Sequence, residues 1–386
     1  MEDHLITKRH FAGVAVLAAA AIALAGCSSN SGGSTSTISK AKAETATSAA
    51  AFGGMKGLIA AANAEGQLNV ITLPPSWANY GKIIALFEKT YPKIKINSAN
   101  PNGSSANEVS AAEAQKGEST APDVFDIGTA VLQANLDLVA PYKVTNWADI
   151  PADFKDPGGK WYYDYTGLMS IGYDTTKIAD APTDYADLLK PEFKGKVSIK
   201  GDPTEANEAA SAVYLAALQS GGSADNIQPG IDFFKKLKAA GNFNNVLPTQ
   251  ATVSSGETPV VIQWSFDNIA WGPAAGSTGD SNFKTIIPSG SAALGSYYNQ
   301  AINVDAPDPA AARLWEEFIY TPAVQNLYLA SGAYPATLAA MQKNGTVDQS
   351  VLKSVGNPPS NFVQLTAAQA ATAAALLAKK WKAAIS

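Results

Sequence analysis

The sequence predicts an α/β fold built as two lobes, each a mainly parallel sheet flanked by helices. Residues 67–73 alternate between apolar and polar side chains, residues 77–90 carry apolar side chains at helical spacing, and residues 93–97 alternate again. A strand, a helix and a strand in this order form a crossover unit whose two strands are parallel. The same pattern returns after residue 195. Because the roughly 330 residues after position 55 exceed what one hydrophobic core usually supports, we expect two lobes.

The elements of the first half follow from hydrophobic periodicity and from the positions of proline. Pro74 and Pro75 end the first strand, and Pro92 ends the helix that comes after it. The predicted elements are a helix at 57–64, a strand at 67–73, a helix at 77–90, a strand at 93–97, a helix at 106–115, a strand at 122–128 and an extended aromatic segment at 161–173.

The second half of the chain repeats these alternations. Asp308 is expected to cap a helix with Pro309 in its first turn, and Leu314, Trp315 and Phe318 lie on one apolar face. The predicted elements are a helix at 185–189, a strand at 195–200, a helix at 203–219, an amphipathic helix at 231–240, strands at 259–264 and 301–304, helices starting at 308 and 322, and a helix at 367–384.

The first residues have the pattern of an export signal. A short charged start precedes an apolar run, residues 11–25, that is too brief to cross a bilayer as a finished helix. The sequence LAGC at residues 24–27 resembles the lipobox of bacterial lipoproteins, in which the cysteine receives diacylglycerol and the chain is cut before it. This resemblance predicts a signal peptide at residues 1–26 and a lipid on Cys27. The tract that follows is rich in Ser, Thr, Ala and Gly and poor in large apolar side chains, so we expect a flexible tether at residues 27–55. The alternative is an ordinary cleavage site beside a small apolar cysteine.

Composition restricts the chemistry that the exported chain could perform. Both histidines, His4 and His10, lie in the predicted signal peptide, and Cys27 is the one cysteine of the sequence. Serine triads, cysteine–histidine pairs and imidazole zinc sites need groups that the exported chain would lack. We therefore expect no enzyme, no catalytic residue, no metal site and no cofactor. The net charge of −5, without a block of Lys or Arg, argues against a nucleic-acid partner.

Three segments carry a family resemblance. The sequence DLLKPEFKGKV at residues 187–197, followed by GDP at residues 201–203, resembles a segment of the extracellular solute-binding proteins that serve ABC importers. The sequence DPAAARLWEEFIYTPAVQ at residues 308–325 and the turn GAYP at residues 332–335 are similar to segments of the polyamine, ferric iron, thiamine and phosphonate branches.

This resemblance implies a type II periplasmic-binding-protein-like fold, whose two lobes are joined by hinge strands near residues 168–174 and 296–304. It assigns residues 56–170 and 297–345 to lobe 1, residues 171–296 to lobe 2, and residues 346–386 to a C-terminal helical segment that packs on the lobes. A small solute would lie in the cleft between the lobes. The loaded protein, expected to be a monomer outside the cytoplasm and anchored to the cell membrane, would deliver the solute to a permease and its ATPase.

Ligand contacts are expected where strands end and helices begin, because loop side chains and free backbone N–H groups converge there. In the first lobe and the hinge this rule selects Trp77, Asn79, Tyr80, Ser104, Ser105, Thr129, Tyr163 and Tyr165. In the second lobe and at the return crossing it selects Thr204, Glu205, Asn207, Trp264, Asp267, Tyr297, Tyr298 and Asn299.

Two of these groups have a purely structural alternative. Asp202, Pro203 and Glu205 match a capping box that a helix would use without any ligand. Trp264 and Asp267 would supply an aromatic wall and a counter-charge for a cation, or else a core tryptophan and a helix cap.

The favoured solute is a small polar organic molecule that bears an amine and resembles a polyamine. In polyamine binders the return crossing carries a tryptophan and an aspartate, where this chain has Tyr297 and Asn299. The alternatives in the same fold are thiamine, Fe(III), and a phosphonate or organophosphate bound at Thr204 and residues 103–105. The rivals from other classes are a structural surface lipoprotein and a hydrolase that pairs carboxylates among Asp164, Asp202, Glu205 and Asp267.

Overall fold

Helices and strands alternate along the computed structural model, which describes residues 38–272, 281–288, 292–359 and 362–386. The described residues belong to one compact unit, which starts at Thr37. The predicted signal peptide and the predicted lipid on Cys27 lie outside the described residues. In the part of the chain that is described, no helix has the length and apolar character that crossing a membrane requires.

The secondary structure follows the predicted order, and most boundaries agree within a few residues. The α-helices of the described residues are α1 (Lys40–Glu44), α2 (Met55–Glu65), α3 (Tyr80–Thr90), α4 (Ser105–Ala114), α5 (Thr129–Ala134), α6 (Asn207–Gln219), α7 (Gln228–Ala239), α8 (Gln250–Ser255), α9 (Ser265–Trp271), α10 (Pro309–Ile319), α11 (Pro322–Ser331), α12 (Leu338–Asn344), α13 (Gln349–Val355) and α14 (Ala367–Ala384). The strands are β1 (Gln67–Ile71), β2 (Lys95–Ala99), β3 (Val124–Gly128), β4 (Val139–Ala140), β5 (Tyr162–Asp174), β6 (Val197–Ile199), β7 (Val260–Trp264), β8 (Phe283–Ile286), β9 (Ala293–Asn303), β10 (Tyr334–Pro335) and β11 (Phe362–Gln364).

The β1–α3–β2 unit is the crossover that the sequence predicts. β1 and β2 are parallel partners over the whole length of both strands. α3 buries Tyr80, Ile83 and Phe87, which recur at helical spacing. A 3-10 helix, Trp77–Asn79, precedes α3, so the loop after β1 brings Trp77 to the end of the strand.

Two long strands, β5 and β9, join the remaining described strands into a nine-stranded sheet. β5 pairs with β9 through residues 162–168 and with β7 and β8 through residues 169–174. β9 also pairs with β3, β4 and, in parallel, β11. The sheet is more mixed than the expected mainly parallel arrangement, because β5 and β9 run antiparallel to most of their neighbours. The hinge segments implied by the resemblance fall on these two strands, whereas the lobe boundaries stay a prediction.

The expected tether at residues 27–55 extends too far, because residues 40–55 are folded. α1 packs against α10, and a 3-10 helix, Ala49–Phe52, packs against α2. The Arg313 guanidinium of α10 donates to the carbonyl oxygens of Glu44 and Ala46, each at 2.7 Å. Alanine-rich turns need few large side chains when they pack closely on another helix, so the composition of this segment resembles that of a tether.

α10 has the predicted apolar face, but its polar side is buried as well. The Glu317 carboxylate accepts hydrogen bonds from the Tyr142 hydroxyl and the Thr145 N–H, both at 2.8 Å. Asp308 stands at the predicted N-cap position without a side-chain cap bond. Its carboxylate instead accepts a hydrogen bond from Gln67 Nε2 at 2.8 Å, which links α10 to β1.

The C-terminal segment packs on two separate parts of the fold. β11 lies beside β9, and α14 contacts both α5 and α7. Leu377 and Trp381 of α14 are buried. The Trp381 ring lies 5.4 Å from the Phe234 ring, measured between centroids.

Candidate functional site

Loops at the ends of β1, β2, β6 and β7 enclose a cavity of about 610 Å³. One wall is built from residues 72–126, the other from residues 200–271, and Tyr298 of β9 completes the lining. The cavity therefore lies where the ends of strands and the starts of helices meet, which is the place that the sequence predicts for ligand contacts.

Backbone strain shapes the first wall. Thr72, directly after β1, has a φ of 55°, a left-handed conformation that β-branched residues rarely adopt. Asn100, directly after β2, has a φ of 39°. The Thr72 hydroxyl donates to Glu108 Oε1 at 2.5 Å. Such strain costs on the order of 1–3 kcal/mol per residue and is typical of ligand sites, where surrounding contacts maintain it.

Glu108 is a buried carboxyl group in the first turn of α4, on the cavity lining. Its Oε2 atom has no hydrogen-bond partner among the described residues. Burial raises its pKa to about 8. Ser104 caps α4 through a capping box, and Ser105 Oγ accepts the Gly128 N–H at 2.9 Å, so α4 is fixed against β3.

Asp126 of β3 is a second buried carboxyl group of this wall. Its Oδ2 accepts a hydrogen bond from the Tyr165 hydroxyl at 2.9 Å, and Trp77 Nε1 donates to the same hydroxyl. Burial raises the pKa of Asp126 well above its usual value, and the charges of Asp164 and Glu108 raise it further. The chain of bonds from Trp77 to Asp126 orients the indole at the edge of the cavity.

A polar cluster next to Asp126 supports the wall from inside the core. Gln300 Nε2 donates to Asp164 Oδ2 at 2.9 Å and to the Tyr80 hydroxyl at 3.0 Å. Burial raises the pKa of Asp164 to about 7. These three side chains are buried and lie off the cavity lining, so they position the wall rather than face the solute.

The second wall begins with α6, whose start differs from the expected capping box. α6 begins at Asn207, with Ala206 as N-cap and no side-chain cap. The Asp202 carboxylate accepts the N–H and the hydroxyl of Thr204 at 2.8 and 2.7 Å, which closes a local turn. The capping-box alternative is therefore wrong. The uncapped start of α6 lies on the cavity lining, together with Glu205.

Glu208 of α6 and Asp267 of α9 are neighbouring acidic groups on this wall. Glu208 Oε1 accepts the Trp264 backbone N–H at 2.7 Å. Burial raises the pKa of Asp267 to about 6, although the Lys200 charge lowers it. Burial and the Asp267 charge raise the pKa of Glu208 well above its usual value, against the opposing effect of Lys200. The Glu208 and Asp267 carboxyl groups share a hydrogen bond, which lowers the pKa of Asp267 and raises that of Glu208.

Lys200 and Trp271 complete the second wall. Lys200 Nζ lies 4.6 Å from the centroid of the Trp271 ring, which is within the range of a cation–π interaction. Trp271 is buried at the end of α9, and Lys200 is half-buried just after β6. An ammonium group can therefore lie on an aromatic face close to two carboxyl groups.

Some of the predicted ligand contacts line the cavity and others do not. Those on the lining are Trp77, Ser104, Ser105, Glu205, Asn207, Asp267 and Tyr298. Those off the lining are Asn79, Tyr80, Thr129, Tyr163, Tyr165, Thr204, Trp264, Tyr297 and Asn299. Contact with a solute stays a prediction for all of them.

The residues off the lining make contacts elsewhere in the fold. Trp264 is fully buried and stacks on Phe266, with 6.5 Å between ring centroids. Tyr163 and Tyr297 stack on each other at 5.0 Å. Asn299 is buried and donates to the β3 backbone at 2.9 Å. In the present arrangement these side chains are part of the core.

Five lining residues with a charge or a large ring were not among the predicted ligand contacts, namely Glu108, Asp126, Lys200, Glu208 and Trp271. For three of them the sequence contains a feature that could have indicated a functional position. Asp126 interrupts an otherwise apolar strand, and Glu108 and Glu208 stand in the first turns of helices that follow strands. Among the described residues, no group of three or more His, Cys, Asp or Glu side chains is arranged to hold a metal ion.

Comparison with known proteins gives a family and a fold. Residues 121–357, more than half of the chain, match the family described as bacterial extracellular solute-binding protein. No curated protein matches the chain.

Three solved structures illustrate the similarity. Apo ferric ion-binding protein A from Pasteurella haemolytica is 20% identical, with 83% of this chain and 96% of that chain covered and a TM-score of 0.58. The periplasmic binding protein AfuA from Actinobacillus pleuropneumoniae, solved with fructose-6-phosphate, is 18% identical, with 83% and 98% covered and a TM-score of 0.58. The spermidine/putrescine ABC transporter substrate-binding protein PotD from Streptococcus pneumoniae is 15% identical, with 83% and 99% covered and a TM-score of 0.56.

These identities show a shared fold, that of the type II periplasmic binding proteins, and confirm the predicted α/β class. The family match shows more, because it rests on the sequence itself and includes the segments at residues 187–197 and 308–325 that carry the resemblance. The chain therefore belongs to the bacterial extracellular solute-binding proteins, the solute-capturing components of ABC importers.

Proposed function

We propose that this protein captures a small organic cation, an amine of the polyamine class, in the 610 Å³ cavity and delivers it to an ABC permease. The charge of the lining is the observation that supports the proposal. Among the described residues, the lining contains one ammonium group, that of Lys200, and the carboxyl groups of Glu108, Asp126, Asp202, Glu205, Glu208 and Asp267. A bound cation favours the ionised form of such carboxyl groups and is attracted to it, whereas the ionised form opposes a phosphate.

The remaining lining suits the carbon skeleton of an amine. Trp77, Trp271 and Tyr298 supply aromatic faces, against which methylene groups pack and ammonium groups make cation–π contacts. The volume falls within the usual range for small-molecule sites, about 300–1,000 Å³. Ser104, Ser105 and Asn207 offer polar partners for the rest of the solute.

The buried carboxyl groups of the lining outnumber its one cation, Lys200. Burying an ionised carboxylate is costly, and burial raises the pKa of Glu108 to about 8 and that of Asp267 to about 6. A solute ammonium would supply charge-assisted hydrogen bonds to these oxygens. Part of the binding energy would therefore come from new bonds to the carboxyl oxygens of the lining, among them Glu108 Oε2, which has no hydrogen-bond partner among the described residues.

One observation favours an anionic solute as the second candidate. The N-terminus of α6 has no side-chain cap and lies on the lining beside Lys200. Helix N-termini attract phosphate and phosphonate groups. We rank this candidate second because the carboxyl groups of the same wall would repel the anion.

The proposal also covers the location and the partners of the protein. A lipid on Cys27 would hold it outside the cytoplasm at the membrane, as a monomer beside the permease and its ATPase. The predicted lipobox and the extracellular family support this part. We propose no catalytic step, because the solute is to be released unchanged.

A ligand screen tests the solute class. The compact unit from residue 37 onward is titrated at pH 8 with putrescine, spermidine, thiamine, an aminophosphonate, fructose-6-phosphate and Fe(III), and its melting temperature is measured. We expect amines to stabilise it by about 2.7 kcal/mol at a concentration 100 times Kd. Stabilisation by the anions alone would assign the cavity to the second candidate.

Carboxyl variants test the site. We expect Glu208→Gln and Asp267→Asn to weaken amine binding about ten-fold or more, because each removes a buried carboxylate that faces the cation. Glu192→Gln is the matched control, since Glu192 is exposed and lies off the lining. Calorimetric titration should show equal affinity for Glu192→Gln and the unchanged protein. Equal affinity for all variants would place the amine elsewhere.

A further inference from the structure

Lys200 is the one cationic side chain among the described lining residues, in a cavity otherwise rich in carboxyl groups. Its ammonium lies 4.6 Å from the centroid of Trp271. Its charge also acts on Glu208 and Asp267, since it opposes the rise in pKa of both groups. Lys200 therefore occupies the kind of place that a solute amine would take: an aromatic face next to an acidic pair.

Among the described residues, the Lys200 ammonium makes no ion pair within 4.0 Å and no side-chain or backbone hydrogen bond, and its direct contact is with the Trp271 ring. Across the described residues, the ion pairs within 4.0 Å join Lys116 to Asp305 and Lys190 to Asp187, and none includes Lys200. No described residue forms a hydrogen bond with Lys200 Nζ, whereas Lys155 and Lys160 Nζ each donate to backbone carbonyl oxygens. Lys200 is thus held in the cavity by the Trp271 face and by longer-range attraction to Glu208 and Asp267.

We propose that Lys200 is an internal occupant of an ammonium subsite formed by Trp271, Glu208 and Asp267, and that a solute amine displaces it. This inference rests on the proposed function, because it assumes that the solute is an amine. The half-buried lysine has four rotatable methylene bonds, which let its ammonium leave toward solvent while its backbone stays beside β6.

Because the Lys200 ammonium occupies the subsite, a solute binds there only if its own contacts are stronger than those of Lys200. A tethered ammonium competes at a high effective concentration, and every solute must first displace it. A solute with several ammonium groups, or with methylene groups that pack on Trp77 and Tyr298, gains binding free energy elsewhere in the cavity and can displace the Lys200 ammonium. A small cation with one charge lacks these additional contacts and cannot displace it. Lys200 would therefore act as a selectivity residue that favours extended polyamines over simple amines.

The test compares Lys200→Met with Lys200→Arg by calorimetric titration of spermidine and ethylamine at pH 8. Methionine keeps the length of the stem and removes the charge, so the subsite becomes vacant. We expect Lys200→Met to bind spermidine about two- to thirty-fold more tightly, the range that loss of a competing cation–π contact implies, and to gain measurable ethylamine binding. Lys200→Arg keeps a cation over the ring and should stay close to the unchanged protein.

Two further variants separate the causes. Lys235→Met removes an exposed lysine of α7 that lies off the lining, and it should change neither affinity. Trp271→Leu combined with Lys200→Met removes the aromatic face as well, and it should lose the gain that Lys200→Met gives.

The outcomes distinguish this inference from the proposed function. Weaker or unchanged spermidine binding by Lys200→Met, with clear binding by the unchanged protein, overturns the inference and leaves the proposed function intact. Binding of spermidine by Lys200→Met alone supports the inference in its strongest form. Absence of amine binding in every variant overturns both.

Discussion

At the scale of single residues, Glu108 shows how strain, burial and charge combine in one side chain. The Thr72 hydroxyl reaches it from a strained backbone, and its place in the first turn of α4 favours a negative charge. Burial outweighs that effect and raises its pKa to about 8. With this pKa Glu108 is mostly protonated at neutral pH, and an ammonium bound beside it would release the proton.

The raised pKa of Glu108 predicts how the stability of the empty protein depends on pH. The folded state binds the Glu108 proton more tightly than the unfolded state does, between the usual carboxyl pKa of 4.5 and about 8. The free energy of unfolding should therefore fall as pH rises through this interval, by at most about 1.4 kcal/mol per pH unit for this group, and level off above it. Urea unfolding of the unchanged protein and Glu108→Gln at pH 5, 6, 7 and 8 measures this.

Glu108→Gln should lose that part of the pH dependence, so the two curves should converge at pH 5 and separate toward pH 8. Glu192→Gln, an exposed substitution, is the control and should follow the unchanged protein. Parallel curves for Glu108→Gln and the unchanged protein would show that Glu108 has an ordinary pKa in the folded state.

The sequence located the loops of the site better than their side chains. Trp77 follows a predicted strand and Trp264 ends one, yet Trp77 lines the cavity and Trp264 is part of the core. The difference comes from the turn after β1, where Ala78 and Asn79 have φ values of 44° and 65°. Hydrophobic periodicity contains no signal for such a turn, because left-handed conformations are expected at glycine.

At the scale of elements, β5 connects the two halves of the nine-stranded sheet. It pairs with β9 up to Leu168 and with β7 from Met169 onward, so one strand serves two sets of partners. Gly167 lies two residues before Met169, where the pairing with β7 starts. A Cβ atom there would be 2.6 Å from Phe266 Cε1 and 3.1 Å from Trp264 Cβ, so only glycine lets α9 pack this closely on β5.

Gly167→Ala should therefore destabilise the protein. Phe266 is fully buried and its ring lies 4.9 Å from that of Trp77, so neither ring can move aside freely. We expect a loss of about 1–3 kcal/mol in the free energy of unfolding, the usual cost of overpacking, measured by urea titration.

Phe266→Leu should compensate for Gly167→Ala, because the smaller side chain makes room for the added methyl group. The variant with both substitutions should therefore lose less free energy of unfolding than the sum of the two single losses. Additive effects would mean that the clash with Phe266 is not the source of the cost.

The elements also show where sequence reasoning stops. The β1–α3–β2 crossover was predictable because its strands are close in the chain and joined by one helix. The pairing of β3 with β9 joins residues that lie at least 170 positions apart, such as Val124 and Ile302, and the partner strand leaves no local mark in the sequence. The start of β9 at residue 293 was missed for the same reason, since the expected strand began at residue 301.

At the scale of the whole molecule, the N-terminal and C-terminal helices pack on different parts of the fold. The C-terminal helix α14 contacts α5 and α7, so it is bound to two parts of the fold at once. The N-terminal helices α1 and α2 pack on α10, so the folded unit begins close to residue 40. The proposed lipid on Cys27 would therefore be linked to that unit by fewer residues than the expected tether of residues 27–55.

Cys27→Ala tests the anchor. Without a thiol at residue 27 no lipid can be attached, and the protein should move from the membrane fraction to the soluble fraction of the exporting cells. Amine binding should be unchanged, because the substitution lies far in sequence from every lining residue. Detergent phase partition followed by calorimetry measures both. Continued membrane retention of Cys27→Ala would contradict the lipobox prediction.

The raised pKa of Glu108 has a consequence for the importer as a whole. A solute cation that displaces the Glu108 proton at neutral pH would add less net charge to the protein than it carries. Net charge would then be a weak signal of loading, and recognition by the permease would rest more on the surface shape of the loaded protein.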